Sequence, residues 1–290
     1  MEDRDWIQDL MRRSGFRGSE YTFSNLYNWS SVYTVAVGRM NDFLIIRSGQ
    51  SAWHYLFPAG SGDVHRALDA MLVESHEQGQ KLEMYGITPE HRALIEMIYP
   101  ERFDYHEVRN NFDYIYLRES LATLAGKKLH GKRNHISRFQ ENNPDWRYET
   151  LTRENLAEAW DMNLEWCHVN GCHETHSLQR EACAVRSAFE HYFELELTGG
   201  LLRAGGRVVA FTFGSPSTED TFVVHVEKAF ADIQGAYPMI NQQFVKNELS
   251  TYTYINREDD VGDEGLRRAK ESYYPAFMYE RYTAVEKEQA

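Results

Sequence analysis

Residues 221–227 combine an imidazole and a carboxylate in a segment that is otherwise mostly apolar. In a β-strand, side chains two residues apart point to the same face, so His225 and Glu227 are predicted to lie together. Acyl transfer to an amine needs a base that removes the proton of the nucleophile, directly or through water. We predict Glu227 as this base and His225 as its partner. The alternative is that both residues only anchor the fold through hydrogen bonds.

A second polar cluster occupies residues 256–274, where acidic residues precede a helical pattern that carries cations. This arrangement could hold a substrate amine together with a phosphate or carboxylate group. We predict that Asp260 contacts the amine as a third residue of the catalytic site. The remaining predicted substrate contacts are Asp259, Arg267, Lys270 and Tyr274. Intrahelical salt bridges are the alternative for the cations, because Asp263 precedes Arg267 by one helical turn.

A basic run stands out in this acidic chain, which has 44 acidic and 31 basic residues and a net charge of −13. The segment 127–138 contains no acidic residue, and its position between two predicted lobes is one where clefts form. Charge-assisted hydrogen bonds from such a run could hold the phosphates of tRNA or of coenzyme A. The predicted contacts are Lys127, Lys128, Lys132 and Arg133. The alternative is a solvated helix face that is paired with acidic neighbours.

The elements that must position these residues divide into two predicted lobes. Residues 1–120 show strand patterns interrupted by two helical segments, with Asp63 as the predicted cap of the first helix and Gly79 at its end. The predicted strands cover 32–37, 43–47, 52–57, 82–87, 103–109 and 112–118, and the predicted helices 63–77 and a short one from Pro89. This half is a mixed α/β lobe.

Residues 121–290 give a fuller set of elements, preceded by a basic inter-lobe segment at 126–139. The predicted order is 147–151 (β), 155–169 (α), 179–195 (α), 200–204, 207–215 and 221–227 (β), 238–249 (α), 252–255 (β), 263–273 (α) and 277–283 (β). The Ala-Gly-Gly sequence at 204–206 predicts a tight hairpin between two of these strands. This order of elements is that of a lobe of the GNAT acyltransferase fold. We therefore predict an α/β (α+β) fold with two GNAT-like lobes in tandem, each a mixed, mostly antiparallel sheet flanked by helices.

In GNAT enzymes a glycine-containing turn after the central strand receives the pyrophosphate of acyl-CoA on its backbone N–H groups. The corresponding candidates are Gln234, Gly235, Ala236 and Tyr237. This segment has a single glycine, and Pro238 favours the start of a helix there. An ordinary strand-to-helix turn with Gly235 at positive φ is an equally good interpretation.

Several segments in this order resemble one protein family. They are residues 22–26 with Trp29, 126–135, 207–214, 225–229, and 255–262 running into 266–270. Together they resemble the family that includes the C-terminal domain of bacterial phosphatidylglycerol lysyltransferases. The resemblance implies transfer of an acyl or aminoacyl group to an amine or hydroxyl. The large membrane enzymes of the family take lysine from lysyl-tRNA and place it on a lipid head group, and a soluble acceptor is an equal alternative for this chain.

Composition and charge limit the cellular location, the partners and the bound metals that we expect. The chain has no apolar run near the roughly 18 to 20 residues of a membrane span, and a charged N-terminus, so we expect a cytoplasmic protein. The net negative charge disfavours a general binder of nucleic acids or anionic membranes. Three crowded cysteines, Cys167, Cys172 and Cys183, are expected to be reduced and buried. Together with His168, His173 and His176 they lack zinc-site spacing, so no metal is predicted.

Two classes of function stay open at this point. The first is an acyl- or aminoacyl-transferase without a tightly bound cofactor, whose donor is acyl-CoA or aminoacyl-tRNA and whose acceptor is a small amine, a peptide or a lipid head group. The second is a non-catalytic module that binds a peptide or a cell-wall-like ligand between the lobes. No motif for ATP, dinucleotides, serine hydrolases or zinc proteases is present.

Overall fold

The computed structural model describes residues 1–49, 52–172 and 174–288 and contains two seven-stranded mixed sheets flanked by helices. The predicted fold class is thereby confirmed. The first sheet has the order β1-β2-β3-β5-β14-β6, with β4 paired to β2. Its strands are β1 (Val35–Met40), β2 (Phe43–Ser48), β3 (His54–Leu56), β4 (Ala59–Gly60), β5 (Glu83–Ile87), β6 (Phe103–Glu107) and β14 (Tyr282–Glu286).

The second sheet has the order β13-β7-β12-β11-β10-β9-β8. Its strands are β7 (Asp113–Leu117), β8 (Arg147–Thr150), β9 (Thr198–Ala204), β10 (Arg207–Pro216), β11 (Thr221–Ala229), β12 (Tyr254–Asn256) and β13 (Phe277–Tyr279). The predicted Gly-Gly hairpin joins β9 to β10, where Gly205 and Gly206 have φ values of 60° and 75°. This turn geometry matches the right-handed twist of the two strands.

Ten helices flank the sheets within the described residues. They are α1 (Arg4–Ser14), α2 (Phe23–Ser30), α3 (Val64–Glu77), α4 (Pro89–Ile98), α5 (Arg118–Thr123), α6 (His130–Asn142), α7 (Leu156–Val169), α8 (His176–Glu190), α9 (Ala236–Glu248) and α10 (Glu264–Glu271). Asp63 caps α3 as predicted, because its side chain accepts a hydrogen bond from the backbone of His65. Helices α1, α2 and α5 were not predicted.

The chain crosses between the two sheets twice. Strand β7, predicted in the first lobe, is hydrogen-bonded in the second sheet between β12 and β13. The predicted last strand at 277–283 is two strands, of which β13 stays in the second sheet while β14 pairs with β5 and β6 in the first. The boundary predicted at residue 120 therefore does not coincide with the division between the sheets.

A continuous hydrophobic core joins the two halves. The main cluster contains the apolar faces of α1 and α9 together with β9, β10 and β11, and it includes Tyr21 and Phe23 from the segment that begins α2. A smaller cluster lies between the first sheet and helices α3 and α4. Because α1 and the start of α2 pack into the larger core, the first lobe contributes directly to the environment of β11.

Strand β11 is irregular at the point where the predicted chemistry lies. On β10, Phe213 pairs with Val226 and Gly214 with Val224, so His225 has no partner there and forms a β-bulge. On its other side β11 pairs with β12 in parallel over three residues only, and β12 ends at Asn256. The strands therefore separate beyond Val223. Bulges of this kind redirect side chains and are frequent beside functional sites.

The cysteines differ from the prediction. Cys167 and Cys172 form a disulfide between the end of α7 and the following loop, so the expectation of reduced thiols is wrong for this pair. Cys183 is free as expected, but it is exposed on α8 rather than buried. Both residues of the pair are buried, as predicted.

Candidate active site

The opening between β11 and β12 collects polar side chains from several parts of the chain. His225 and Glu227 enter it from β11, and the loop that follows β12 supplies Arg257 and Glu258. The two predicted residues do not bind each other, because each has its own partner on the loop. The site consists of two adjacent clusters, one around Glu227 and one around His225.

Glu227 is held by two polar side chains. One carboxylate oxygen accepts a hydrogen bond of 2.7 Å from Nη2 of Arg257, and the other accepts one of 2.8 Å from Nδ2 of Asn241 on α9. The side chains of Glu227 and Arg257 are each 11% exposed. Since a carboxylate can accept about four hydrogen bonds, Glu227 retains capacity for a ligand.

The basic helix α6 reaches this cluster through Lys132. Its Nζ lies 4.0 Å from the ring centroid of Tyr273, and Cζ of Arg257 lies 4.8 Å from the same centroid. Burial and repulsion by Arg257 lower the pKa of Lys132 to about 8, opposed by the attraction of Glu227. Lys132 therefore loses its proton more readily than an exposed lysine.

His225 connects the second sheet to the first lobe. Its Nδ1 lies 2.7 Å from Oε1 of Glu258, and its Nε2 lies 2.9 Å from the hydroxyl oxygens of both Ser24 on α2 and Ser215 on β10. The carboxylate only accepts, so Nδ1 of His225 donates to Glu258, while Nε2 is hydrogen-bonded to the two serine hydroxyls. Ser24 and Ser215 are 2% and 6% exposed. With both hydroxyls this deeply buried, the array positions α2 and the loop against β11.

The loop that carries Arg257 and Glu258 has an unusual backbone. Glu258 and Val261 have positive φ values of 56° and 45°, a conformation that non-glycine residues rarely adopt. Lys270, from α10, donates to the carbonyl oxygens of Arg257 and Asp259. The predicted substrate residue Lys270 is thus committed to holding this loop, and burial lowers its pKa.

Asp260 serves as an anchor rather than as an available amine ligand. Its carboxylate accepts hydrogen bonds from Tyr114, Arg109, the backbone of Gly262 and two nitrogens of Arg267, and it is 0% exposed. Every acceptor position is therefore occupied. The predicted roles of Asp260 as an amine contact and of Arg267 as a substrate contact are corrected, because the two residues neutralise each other.

Two further predicted substrate contacts lie at the edges of the loop. The carboxyl of Asp259 is largely buried, and this burial, together with Asp113 and Glu258, raises its pKa to about 7. Tyr274 is exposed, and Nζ of Lys128 lies 5.1 Å from its ring centroid. Tyr274 and the basic run therefore share one surface beside Lys132.

The other basic residues have different environments. Lys127 and Lys128 precede α6 and are exposed. Arg133 instead donates from Nη1 to the carbonyl oxygens of Leu124 and Gly126, where α5 ends. Lys127 and Lys128 are free to meet a phosphate, whereas Arg133 stabilises the backbone before the helix.

The predicted phosphate-binding turn is covered by α6. A Cβ at Gly235, whose φ is 85°, would lie 2.1 Å from the carbonyl oxygen of His135. The N–H of Ala236 bonds the carbonyl of Ile233 and Pro238 has no N–H, so neither residue offers a backbone donor to a phosphate. Burial raises the pKa of Tyr237, while Gln234 is exposed. Glycine at 235 is thus explained by close helix packing.

Replacement of Gly235 by alanine should lower the free energy of unfolding by about 1–3 kcal/mol through steric overlap with α6, in addition to the strain of positive φ. Gly79→Ala is the matched control, because Gly79 also has a positive φ, of 71°, but an added Cβ there meets nothing within 4 Å. Urea unfolding of both variants measures the difference. Equal losses would show that α6 does not press on this turn.

Sequence reasoning missed several residues of the site. Arg257, Glu258 and Ser24 lay inside the segments that carry the family resemblance, but no local pattern connected them to β11. Asn241 and Ser215 showed no signal at all, since each lies in an apolar helix or strand pattern.

Within the described residues no group of three potential metal-ligating side chains converges, and His173 lies outside those residues. Helices of the described ranges are all too short or too polar to span a bilayer.

The chain is similar to one protein family and to several solved structures. Residues 11–285 match the family described as "Phosphatidylglycerol lysyltransferase, C-terminal". A crystal structure of a conserved protein of unknown function from Bacteroides thetaiotaomicron is 41% identical, with a TM-score of 0.95 over 99% of this chain and 97% of that one. The structure of L-PGS from Bacillus licheniformis shares the fold at 17% identity, with a TM-score of 0.69 over 98% and 92% of the two chains.

A curated relative also matches, over part of its length. An uncharacterized protein of Mycoplasmoides gallisepticum is 24% identical over 180 residues, which are 61% of this chain and 56% of that protein. The chain thus spans little more than half of the length of the curated relative it matches.

Proposed function

Because this chain belongs to the family of phosphatidylglycerol lysyltransferase C-terminal domains, a transferase-type family, we propose that it moves an aminoacyl group from a charged tRNA to an amine or hydroxyl acceptor. The observation that carries this proposal is the position of Lys132. The basic segment that contains it extends from the exposed Lys127 and Lys128 to the Glu227–Arg257 pair. A polyanionic donor bound along the segment would present its acyl end at that pair.

The covered turn at Gly235 favours tRNA over acyl-CoA as the donor. Acyl-CoA needs several backbone N–H groups for its pyrophosphate, and α6 packs directly on the turn that would supply them. The same helix instead carries Lys132, and the exposed Lys127 and Lys128 precede it. The acceptor is proposed by class only, as an amine or hydroxyl on a small molecule, a peptide or a lipid head group.

The proposed reaction breaks one ester bond and forms one amide or ester bond. The nucleophilic nitrogen or oxygen of the acceptor attacks the carbonyl carbon of the aminoacyl ester, and Glu227 accepts its proton directly or through water. The terminal ribose of the tRNA leaves as a hydroxyl after it receives a proton. His225 and Glu258 position the loop and α2 around this step and take no proton from the acceptor.

Charge reversal of Lys127 and Lys128 to glutamate should weaken tRNA binding and lower the slope of log K against log salt by about 2, since each phosphate contact contributes about 0.9. Filter binding of uncharged tRNA between low and physiological salt measures both quantities. Arg12→Glu with Arg39→Glu is the matched control, because it makes the same charge change at exposed positions of the first lobe. Equal weakening by both pairs would mean that tRNA responds only to net charge.

The reaction itself is tested by mixing charged tRNA with candidate acceptors and following the loss of the ester. Acceptor-dependent deacylation by the wild-type protein supports aminoacyl transfer. Saturable binding of acetyl-CoA together with CoA-dependent acylation, and no response to charged tRNA, would replace the proposed donor.

A further inference from the structure

Arg257 has a donor group with no partner in the described structure. Its Nη2 binds Glu227, but Nη1 is buried and makes no hydrogen bond. The guanidinium lies against the rings of Tyr116 and Tyr273, with its Cζ 5.6 and 4.8 Å from their centroids. A buried, unsatisfied charged donor is expensive, and most such groups find a partner. The free nitrogen therefore indicates a ligand atom that accepts hydrogen bonds.

A second cation packs on the same tyrosine ring as Arg257. Lys132 packs on the Tyr273 ring, and its charge is repelled by Arg257 and attracted by Glu227. Two cations and one carboxylate leave one uncompensated positive charge in a half-buried place. An added negative charge would neutralise it, and in such a low-dielectric setting that interaction is strong.

We propose that Nη1 of Arg257 and Nζ of Lys132 together bind the oxyanion that forms on the acyl carbonyl during transfer. The proposal rests on the acyl transfer proposed above. It assigns to these residues a catalytic part that is separate from tRNA binding and from proton removal by Glu227. Donors that face a developing negative charge stabilise the transition state more than the ground state, which is what accelerates a reaction.

Attack of the acceptor on the carbonyl carbon moves the π electron pair to oxygen, and the two cations bind the resulting charge. When the pair returns, the bond to the ribose oxygen breaks, and that oxygen takes the proton that Glu227 removed from the acceptor. No oxidant, reductant or metal is needed, and Arg257 and Lys132 end in their starting protonation states.

Sulfate, a tetrahedral anion, probes the site without any reaction. Titration of Lys132 by NMR of 13C-labelled lysine should show its pKa rise from about 8 when sulfate is added, but not when chloride is added at equal ionic strength. Arg257→Lys should weaken sulfate binding about tenfold. Arg138→Gln, which removes an exposed cation of the same helix, should leave it unchanged. No sulfate-dependent rise in the wild-type protein would overturn the proposal.

Kinetics separate this role from simple phosphate binding. Lys132→Met and Arg257→Lys should each lower kcat about 100-fold or more, with the KM for charged tRNA within about twofold of wild type. In the wild type, kcat should fall as Lys132 loses its proton at or above pH 8, and this alkaline fall should be absent in Lys132→Met. A large rise in KM with unchanged kcat would assign the cations to tRNA phosphates and reject the oxyanion role.

The sulfate titration and the transfer kinetics together distinguish failure of the oxyanion site from failure of the proposed tRNA donor. If sulfate raises the pKa of Lys132 but no charged tRNA is ever deacylated, the anion site stands and the donor assignment fails. If transfer proceeds while sulfate and both variants have no effect on it, the transfer reaction stands and the oxyanion site fails. Circular dichroism of each variant confirms that the fold is retained.

Discussion

Glu227→Gln is expected to lower the rate of acyl transfer by about 100- to 10,000-fold, with little change in the affinity for tRNA. The amide keeps the size of the side chain but cannot accept a proton from the acceptor. Glu227 lies at the opening between β11 and β12, where Arg257 and Asn241 orient its two oxygens. Single-turnover deacylation of charged tRNA, with and without acceptor, measures the effect.

Glu219→Gln is the control for this substitution, because Glu219 is an exposed carboxylate just before β11. It should leave the rate unchanged. Glu227→Asp retains the charge but moves the carboxylate away from the acceptor, so it should lie between the wild type and Glu227→Gln. An acceptor-dependent rate in Glu227→Gln that equals that of the wild type would remove Glu227 from the reaction.

Arg281→Met is expected to lower the free energy of unfolding by about 3–5 kcal/mol, the typical loss when one partner of a buried ion pair is removed. Nη2 of Arg281 binds Glu20 at 2.6 Å and Asp113 at 2.9 Å, and its side chain is 5% exposed. Removal of the guanidinium leaves two carboxylates buried without a cation. Denaturant unfolding at neutral pH measures the loss.

Arg186→Met provides the comparison, because Arg186 pairs with Glu190 on the surface of α8 and is 68% exposed. Exposed pairs of this kind contribute about 0–1 kcal/mol. Adding Asp113→Asn to Arg281→Met should recover part of the stability, since one uncompensated charge is removed. Similar losses from Arg281→Met and Arg186→Met would show that the buried network contributes little.

The Arg281 network also bears on the candidate site. Asp113 accepts a hydrogen bond from Asn256, whose own side-chain oxygen accepts from the backbone of Glu258. The buried ion pairs between the two halves thus extend to the strained loop that supplies Arg257 and Glu258. Ser24 adds a second connection, from α2 to His225. The geometry of the site therefore depends on how the first lobe is attached.

Much of the fold could be predicted from the sequence because its causes are local. Apolar periodicity, an Asp cap and a Gly-Gly turn act within a few residues, and each of α3, the β9–β10 hairpin and the central strand β11 appears where these patterns place it. Helix α2 was missed because its polar, aromatic sequence has a weak periodicity, while its stability comes from packing Phe23 into the main core.

The candidate site was predictable only in outline. Family resemblance marked the segments, and the strand period placed His225 and Glu227 on one element. Burial and hydrogen bonding decided which of the predicted charged residues are available to a ligand. Asp260 and Arg267 neutralise each other, and Lys270 donates to two backbone carbonyls. Whether a charged side chain is free or occupied depends on neighbours that no local pattern reveals.

The sequence by itself thus determined the mixed α/β class, the family, the basic segment and the strand that carries Glu227. Only the tertiary structure decided that Arg257 binds Glu227, that Ser24 reaches His225 across 201 positions, and that α6 covers the turn at Gly235. It also decided that β14, from the far end of the chain, lies between β5 and β6 in the first sheet. Local propensities act over a few residues, whereas these contacts join distant segments that meet only when the common core forms.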